Sequence, residues 1–360
     1  MSLVASLSRS PGDRSGHAVL VASVLIALAL VTAFLSLAVG PTGFTPLGAL
    51  HALSGFANVD GTTARTAESM IILDIRLPRT MLGLVVGAAL AMSGAVMQGL
   101  FRNPLADPGL VGVTAGAGLA AVTVIVLGAG ALGAVLGGLA FYALPLAAFA
   151  GGLVTTTLLY AIATRQGRTS VATMLLAGIA IAALAGAATG MLIFVSDDQQ
   201  LRDFTFWTLG SLTGASWEKV WVASAFLVVV IAVLPTLAAG LDALLLGEGE
   251  ARHLGIPVQL VKRLSVFAVA AAVGASVAVA GPIGFIGIVV PHLLRLVIGP
   301  RHAGLLPTSA LLGAVLLVGA DMVARTIVAP AELPIGIVTA ILGAPFFLWL
   351  LLRQRSIVDL

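Results

Sequence analysis

The segment from Leu241 to Arg263 reads LDALLLGEGEARHLGIPVQLVKR, and it interrupts a long series of apolar, nearly uncharged segments. Gly247 and Gly255 bracket roughly one to two helical turns within it, which is too short a piece to bury a domain. Two interpretations fit this spacing. The segment is either a solvated loop between two membrane helices or a short helix on which a cytoplasmic partner docks.

The composition is that of a membrane protein. Hydrophobic residues make up 59% of the chain, charged residues 9%, and the mean hydropathy is +1.14, whereas about a quarter of a soluble chain is charged. The 42 glycines suit helices that pack closely in lipid, and the absence of cysteine excludes disulfides and thiolate metal sites. We attribute the pI near 9.9 to membrane topology and not to nucleic-acid binding. We therefore predict an all-α polytopic membrane protein with a single transmembrane domain at 18–352, between tails at 1–17 and 353–360.

The apolar segments define nine or ten membrane spans. Ala18–Gly40 has 23 uncharged residues, too many for a cleaved signal, whose apolar region has about 7 to 15. Val111–Thr164 has 54 uncharged residues, room for two spans of about 20 residues with a turn among Gly128–Gly138. Leu264–Leu294 is interrupted by GPIGFIG and fits one long helix or two short ones. The remaining spans are Met81–Leu100, Ser170–Val195, Val220–Leu241, Leu305–Val323 and Ile335–Leu352.

One of these spans carries small residues on one face. Gly83, Gly87, Ala91 and Ala95 recur every four residues, a spacing that places them along one side of a helix. Small residues on one side permit close helix packing in lipid. We interpret this face as a packing surface.

Charge decides between nine and ten spans, because cytoplasmic loops collect Lys and Arg. Both termini are basic, with Arg9 and Arg14 at one end and Arg353 and Arg355 at the other. An even number of spans puts both termini inside, so we predict ten, which places twelve of the eighteen cations in the cytoplasm. The Leu241–Arg263 segment then faces the cytoplasm.

A weak internal repeat is consistent with this topology. A shift of 187 residues superposes Arg76 on Arg263 and Gly112 on Gly299, and Gly87, Ala88, Ala91, Gly94 and Pro104 are among the identities between these positions. With ten spans the two copies have opposite orientations, as in the inverted repeats of many transporters.

The sequence contains no energy source of its own that we can identify. Its two lysines, Lys219 and Lys262, do not follow glycine, so no G-x-x-x-x-G-K-[ST] phosphate loop is present. No row of acidic residues or histidines within the spans suggests an ion-coupled carrier. We interpret His292 as a hydrogen-bonded residue at a helix break and not as a metal ligand, and Asp321 with Arg325 as an i,i+4 ion pair.

Four segments together carry a family resemblance. They read RLPRTMLGLVVGAALAMSGAVMQGLFRNPLADPGLVGV, LGEGEARHLGI, GPIGFIGIVVPHLLR and ADMVARTIVAPAELPIGIVTAILGAPFFLWLL. From about Leu73 to Leu352 the chain resembles the FecCD-type permeases of binding-protein-dependent ABC importers, which take up haem, ferric siderophores and cobalamin. The resemblance implies a type II importer permease fold in the bacterial inner membrane. It also implies a homodimer with a central path, a periplasmic binding protein above it, and two ATPase subunits below.

The resemblance also implies roles for individual residues. In the family, the segment that matches Leu241–Ile256 forms coupling helices seated in a cleft of the ATPase, and it corresponds here to Gly247, Glu248, Ala251, Arg252, Leu254 and Gly255. The outer docking surface for the binding protein maps onto Arg76, Arg79 and Arg325, for which lipid head-group anchoring is the alternative. Asn103 and Leu105 match positions that close the path from below. ATP and Mg are expected on the partner ATPase, with no cofactor and no metal on this chain. As a permease subunit without a phosphate loop, the chain is not expected to be an enzyme itself.

The resemblance also orders the candidate cargoes. SDDQQLRDFTFWTLGSLTGASW and the loop from Asn103 to Gly112 look most like the haem permeases. Haem is therefore the first candidate, ferric siderophores the second and cobalamin the third. An ion-coupled secondary transporter is the alternative from another class, and the coupling segment argues against it.

Overall fold

The computed structural model describes residues 15–40, 67–128, 140–166 and 168–358, which are almost entirely helical. The helices are α1 (Ser15–Ala38), α2 (Leu77–Phe101), α3 (Val113–Leu127), α4 (Ala140–Ala163), α5 (Val171–Phe194), α6 (Asp198–Thr208), α7 (Trp217–Leu246), α8 (Glu248–His253), α9 (Val258–Ala280), α10 (Ile286–Ile298), α11 (His302–Ala324) and α12 (Ile335–Val358). A short helix, Ala67–Met70, and a π-helical turn, Ile71–Arg76, lead into α2, and a 3-10 turn, Pro108–Val111, precedes α3. The strands β1 (Thr164–Arg165) and β2 (Arg168–Thr169) form an antiparallel hairpin between α4 and α5.

The helix lengths confirm the polytopic all-α class. In the described ranges, six helices are long and apolar enough to cross a membrane, and α7 makes a seventh if its two halves count as one span. The halves of α7 meet between Ile231 and Val233, where Pro235 removes the backbone hydrogen bond to the carbonyl of Ile231 and so favours a bend. Three shorter apolar helices lie at Val113–Leu127, Ile286–Ile298 and Ile335–Leu350. The total of ten spans stays a prediction.

The core is built around α2, which is buried along most of its length. Its sequence is apolar on all sides, as expected for a helix surrounded by others, and it packs against α7, α9, α10 and α11. The predicted small-residue face is confirmed, because a methyl group at Gly87 would lie 2.3 Å from the carbonyl oxygen of Gly313. The backbones of α2 and α11 thus approach each other closely.

The structure shows how two long uncharged segments divide into helices. The long uncharged segment from Val111 contains α3 and α4 as predicted, and the turn predicted among Gly128–Gly138 lies largely outside the described residues. The segment Leu264–Leu294 contains two helices and not one, because α9 ends at Ala280 and α10 begins at Ile286. Gly281, with φ of 69°, ends α9, in a conformation that glycine adopts without strain.

The helix boundaries bear on the internal repeat and on the two tails. The 187-residue alignment pairs Gly94, inside α2, with Gly281 at the end of α9, and it pairs Pro104, in a loop, with Pro291 inside α10. The second half of that alignment therefore joins different elements, and the inverted repeat stays a prediction. The C-terminal tail expected from residue 353 is helical as far as Val358, and most of the N-terminal tail lies outside the described residues.

Candidate functional site

The predicted coupling segment contains a short helix held by a glycine at each end. Gly247 has φ of 122° and separates α7 from α8, and Gly255 has φ of 79° just after α8. The amide of Gly255 donates to the carbonyl of Arg252 at 2.9 Å, and the amide of Ile256 donates to the carbonyl of Ala251 at 3.0 Å. These two bonds form a Schellman motif, for which glycine is the favoured residue. The bracketing of α8 by two glycines is thus as predicted.

α8 has one buried side and one exposed side. Ala251 is fully buried, whereas Glu250 and Arg252 are exposed and Leu254 keeps 64% of its surface accessible. Nη2 of Arg252 lies 3.4 Å from Oε2 of Glu248, so the two side chains form an i,i+4 ion pair on α8. The exposed side therefore combines charges with an apolar side chain, a composition suited to a protein partner.

Lys262 joins this site through contacts that the sequence does not predict. Its side chain is 2% exposed, and its ammonium lies 2.5 Å from Oε1 of Glu248. The ammonium also donates to the backbone carbonyl of Thr169, at the end of the hairpin, at 2.8 Å. Sequence spacing could not reveal these partners, since Glu248 is 14 and Thr169 is 93 residues away.

The predicted gate residues lie in the loop that follows α2, beside α8. Arg102 has φ of 50° and ends α2, and Oδ1 of Asn103 accepts a hydrogen bond from the amide of Leu105 at 2.9 Å. A methyl group at Gly247 would lie 4.0 Å from Nη1 of Arg102. The structure thus brings this loop next to the coupling helix, and the role of Asn103 and Leu105 as a gate stays a prediction.

A cavity of about 590 Å³ lies near the same loop. Its walls come from the 3-10 turn with Asp107 and Pro108, from the break between α9 and α10, and from the start of α12. Asp107 is the one ionisable side chain among the described lining residues. Burial raises the pKa of Asp107, and the hydrogen bond from the amide of Gly109 offsets this in part. The wall is otherwise formed by apolar and small uncharged residues.

The three arginines predicted to face a binding protein converge in one cluster at the start of α2. Nε and Nη2 of Arg79 bind the carboxylate of Asp321 at 2.8–3.1 Å, and Nη1 binds both oxygens of Glu332 at 2.9 Å. Arg76 donates to the carbonyls of Leu37 and Ala38 at 2.6 and 3.0 Å. The cluster thus joins α1, α2, α11 and the segment between α11 and α12.

The expected i,i+4 ion pair of Asp321 with Arg325 is present, but Arg325 is not the main partner of Asp321. Nε of Arg325 lies 3.6 Å from Asp321, too far for a hydrogen bond, and Nη2 of Arg325 donates instead to the carbonyl and hydroxyl oxygens of Ser36 at 2.7 and 2.8 Å. Arg79 is the main partner of Asp321 because its Nε and Nη2 both donate to this carboxylate at hydrogen-bonding distance, the two-pronged geometry that arginine favours. The i,i+4 spacing predicted a possible contact and not the dominant one.

The arginine cluster is largely buried within the chain. Arg76, Arg79 and Arg325 are all buried, and Glu332 is the exposed member, with 32% of its side chain accessible. Burial raises the pKa of Glu332, but hydrogen bonds from Arg79 and Thr213 outweigh it and hold the pKa below its ordinary value. These contacts give the arginines a role inside the chain and do not favour head-group anchoring. Docking of a binding protein through them stays a prediction.

His292 departs from expectation in two respects. It lies inside α10 and not at a helix break, its Nδ1 has no hydrogen-bond partner, and its ring lies edge-on to Phe346 with centroids 6.1 Å apart. Among the residues that the structure describes, no group of three or more His, Asp or Glu could hold a metal ion.

A polytopic helical bundle with a glycine-bracketed helix beside its loops agrees with the permease class of ABC importers, and comparison with known proteins shows this class. The chain belongs to the FecCD transport family, which matches residues 28–353. It is 48% identical over 320 residues to the hemin transport system permease protein HmuU of Yersinia pestis, covering 87% of this chain and 92% of that protein.

Cobalamin permeases are similar to nearly the same degree. The chain is 46% identical to the cobalamin import system permease protein BtuC of Halobacterium salinarum, covering 80% of this chain and 74% of that protein. It is 42% identical to the vitamin B12 import system permease protein BtuC of Klebsiella pneumoniae, with coverage of 92% and 93%. The secondary-transporter alternative receives no support from any of these relatives.

Solved structures agree with the fold. A metal-chelate type ABC transporter in an inward-facing conformation superposes with a TM-score of 0.79 at 31% identity, covering 92% of this chain and 98% of that one. PsaBC from Streptococcus pneumoniae in complex with Fab superposes with a TM-score of 0.51 at 15% identity, covering 83% and 94%. This second likeness concerns the fold alone.

Proposed function

We propose that this chain is the membrane-spanning subunit of an ATP-driven importer that moves haem from a periplasmic binding protein across the bacterial inner membrane. The observation that carries the proposal is the 48% identity to a hemin permease along 87% of the chain. Cobalamin is the second candidate because of the cobalamin permeases at 42–46% identity. A ferric siderophore is the third, supported by the metal-chelate transporter of similar structure.

In this proposal, α8 is the contact through which ATPase subunits act. The ATPase subunits bind ATP and Mg and supply the energy. The exposed Glu250, Arg252 and Leu254 meet the cleft of the ATPase, while the buried Ala251 attaches α8 to the rest of the chain. The glycines at both ends leave α8 a separate short rod, an element that can shift as a unit between two positions. The adjoining loop with Asn103 and Leu105 closes the path.

A second copy of the chain completes the translocation path. This is supported by apolar side chains, among the described residues, that are exposed on the surface of the single subunit. Leu176 and Leu184 of α5, and Ile341 and Leu342 of α12, each expose more than 60% of their surface. Surfaces of this kind face lipid or another subunit. We assign part of them to a homodimer and the remainder to lipid.

The cavity wall supports a bulky and largely apolar cargo. Apolar walls with few polar groups are typical of sites for such ligands. Asp107 is the one acidic side chain in the described wall, so most of the surface offered to the cargo is uncharged.

The test is uptake by proteoliposomes that contain the permease with its ATPase and binding protein. We expect ATP-dependent accumulation of hemin and none of a ferric siderophore or cobalamin. Uptake of a ferric siderophore or of cobalamin, with no uptake of hemin, would show that haem is not the cargo. A variant of the ATPase that binds but does not hydrolyse ATP serves as the control. Accumulation that persists in this variant and stops when an ionophore collapses the ion gradients would revive the secondary-transporter class.

A further inference from the structure

A buried ammonium group connects three elements around the coupling helix. Lys262, in the second turn of α9, is 2% exposed. Its ammonium bonds Glu248, the first residue of α8, and the backbone carbonyl of Thr169, the last residue of the hairpin. A lysine ammonium has three donors in a compact group, so it can hold both acceptors at once. α8, α9 and the hairpin therefore meet at this atom.

The hairpin is held by α9 at two points. Oε1 of Gln259 accepts a hydrogen bond from the amide of Thr169 at 3.0 Å, while Lys262 binds its carbonyl. Gln259 and Lys262 are three residues apart and so share one face of α9. The hydroxyl groups of Thr164 and Thr169 lie 2.9 Å apart and brace the hairpin. Both backbone polar groups of Thr169 are thus fixed by α9.

The hairpin leads directly into α5. Ser170 follows Thr169 and caps α5, its hydroxyl oxygen accepting from the amide of Thr173 at 3.2 Å. Only Met174, Gly178 and Ala185 of α5 are buried within the subunit. A displacement of Thr169 would therefore be passed to the first turn of α5, a helix with few buried residues within its own subunit.

The chemistry of Lys262 suits it to transmit such a displacement. A buried charge that loses its partner is strongly unfavourable, so the ammonium keeps its contact with Glu248 when α8 shifts. Because the same ammonium holds Thr169, the shift is passed to the hairpin. The glycines at both ends of α8 offer less resistance than a continuous helix would.

We propose that Lys262 is a positioning residue that couples α8 to the hairpin and α5, so that movement imposed on α8 by the ATPase is conveyed to α5. This inference rests on the proposed function. Lys262 itself contacts neither ATP nor cargo in this role. It acts through Glu248 on one side and Thr169 on the other.

The test is the amount of cargo transported per ATP hydrolysed by the assembled complex in proteoliposomes. Lys262→Met keeps the length of the side chain and removes its charge, and we expect this ratio to fall by about tenfold, within the range reported for residues that carry coupling. The ATPase subunits should still co-purify and hydrolyse ATP. Lys262→Arg should restore part of the ratio, and Lys219→Met, at the other lysine of the chain, should leave it unchanged.

A distance measurement gives a readout that does not depend on transport. The chain has no cysteine, so spin labels can be placed at the exposed Arg165 on the hairpin and the exposed His253 on α8. We expect a narrow distance distribution in the parent protein that broadens in Lys262→Met. Glu248→Gln should have the same effect, and combining both changes should add little, since they remove one link.

The outcomes separate this inference from the proposed function. If Lys262→Met and Glu248→Gln both keep the parent ratio and the parent distance distribution, the link is refuted while the function stands. If the parent complex itself shows no ATP-driven uptake, the proposed function fails, and the distance measurement still decides the link. If Lys262→Met does not insert in the membrane, Glu248→Gln tests the link in its place. Glu248 is only partly buried, so this change disturbs folding less.

Discussion

At the scale of single residues, the arginine cluster holds several charged side chains that are buried close together. Arg79 holds two carboxylates, and Asp321 is 1% exposed. Removing one partner of a buried ion pair is strongly destabilising, because the remaining charge is left without compensation. A charge reversal at Arg79 would therefore disturb the fold before it could test docking of a binding protein. The integrity of the cluster has to be measured first.

We expect Asp321→Asn to lower the free energy of unfolding by about 3–5 kcal/mol, the usual result of breaking a buried pair. Asp203→Asn, the same change at an exposed position on α6, is the matched control and should have little effect. Thermal unfolding in detergent measures both. Equal midpoints for the two variants would show that the cluster does not stabilise the fold.

Glu332 should make the stability of the protein depend on pH. Its folded pKa lies below the ordinary value of 4.5, so its contribution is present above that pH and is lost as pH falls through the folded pKa. Glu332→Gln should therefore be less stable than the parent near neutral pH, with a difference that shrinks in acid. Unfolding midpoints across the acid range measure this. A difference that grows towards low pH would contradict the assignment.

At the scale of elements, the contact between α2 and α11 depends on glycine. A methyl group at Gly87 would lie 2.3 Å from the carbonyl oxygen of Gly313, whereas one at Gly118 on α3 would meet no atom within 4 Å. We expect Gly87→Ala to destabilise by about 1–3 kcal/mol through overpacking. Gly118→Ala should be neutral or stabilising, because alanine favours helix more than glycine does. Unfolding midpoints of the two variants test the difference.

The elements were largely predictable from sequence, because hydropathy and glycine placement are local signals. α8 followed from two glycines and a cluster of charges, and the first span from a long uncharged run. The break between α9 and α10 was undecided, since an apolar run rich in Gly and Pro permits either a helix or a break. The pairs Arg79 with Asp321 and Lys262 with Glu248 were missed because their members are 242 and 14 residues apart. Only the tertiary fold brings such partners together.

At the scale of the whole molecule, α2 sets the distance between the two candidate surfaces. Arg79 stands at its start and Arg102 at its end, so the surfaces are separated by roughly 35 Å at 1.5 Å per residue. The hydrocarbon core of a bilayer is about 30 Å thick. The arginine cluster and α8 with its neighbouring loop therefore fit opposite faces of one membrane. This is the arrangement that a binding protein on one side and an ATPase on the other require.

This arrangement predicts which positions a membrane-impermeant reagent can reach. Single cysteines replacing Arg202 on α6 and His253 on α8 can be introduced into the cysteine-free chain, and the unchanged chain is the control for background. Since α7 alone separates the two positions as a span, we expect Arg202→Cys to be labelled in intact spheroplasts and His253→Cys only after lysis. The even number of spans is tested by Ser2→Cys and Leu360→Cys, which should both require lysis. Labelling of one terminus alone from outside would require an odd number of spans and overturn the ten-span topology, whereas labelling of His253→Cys in intact cells would place α8 out of reach of any ATPase.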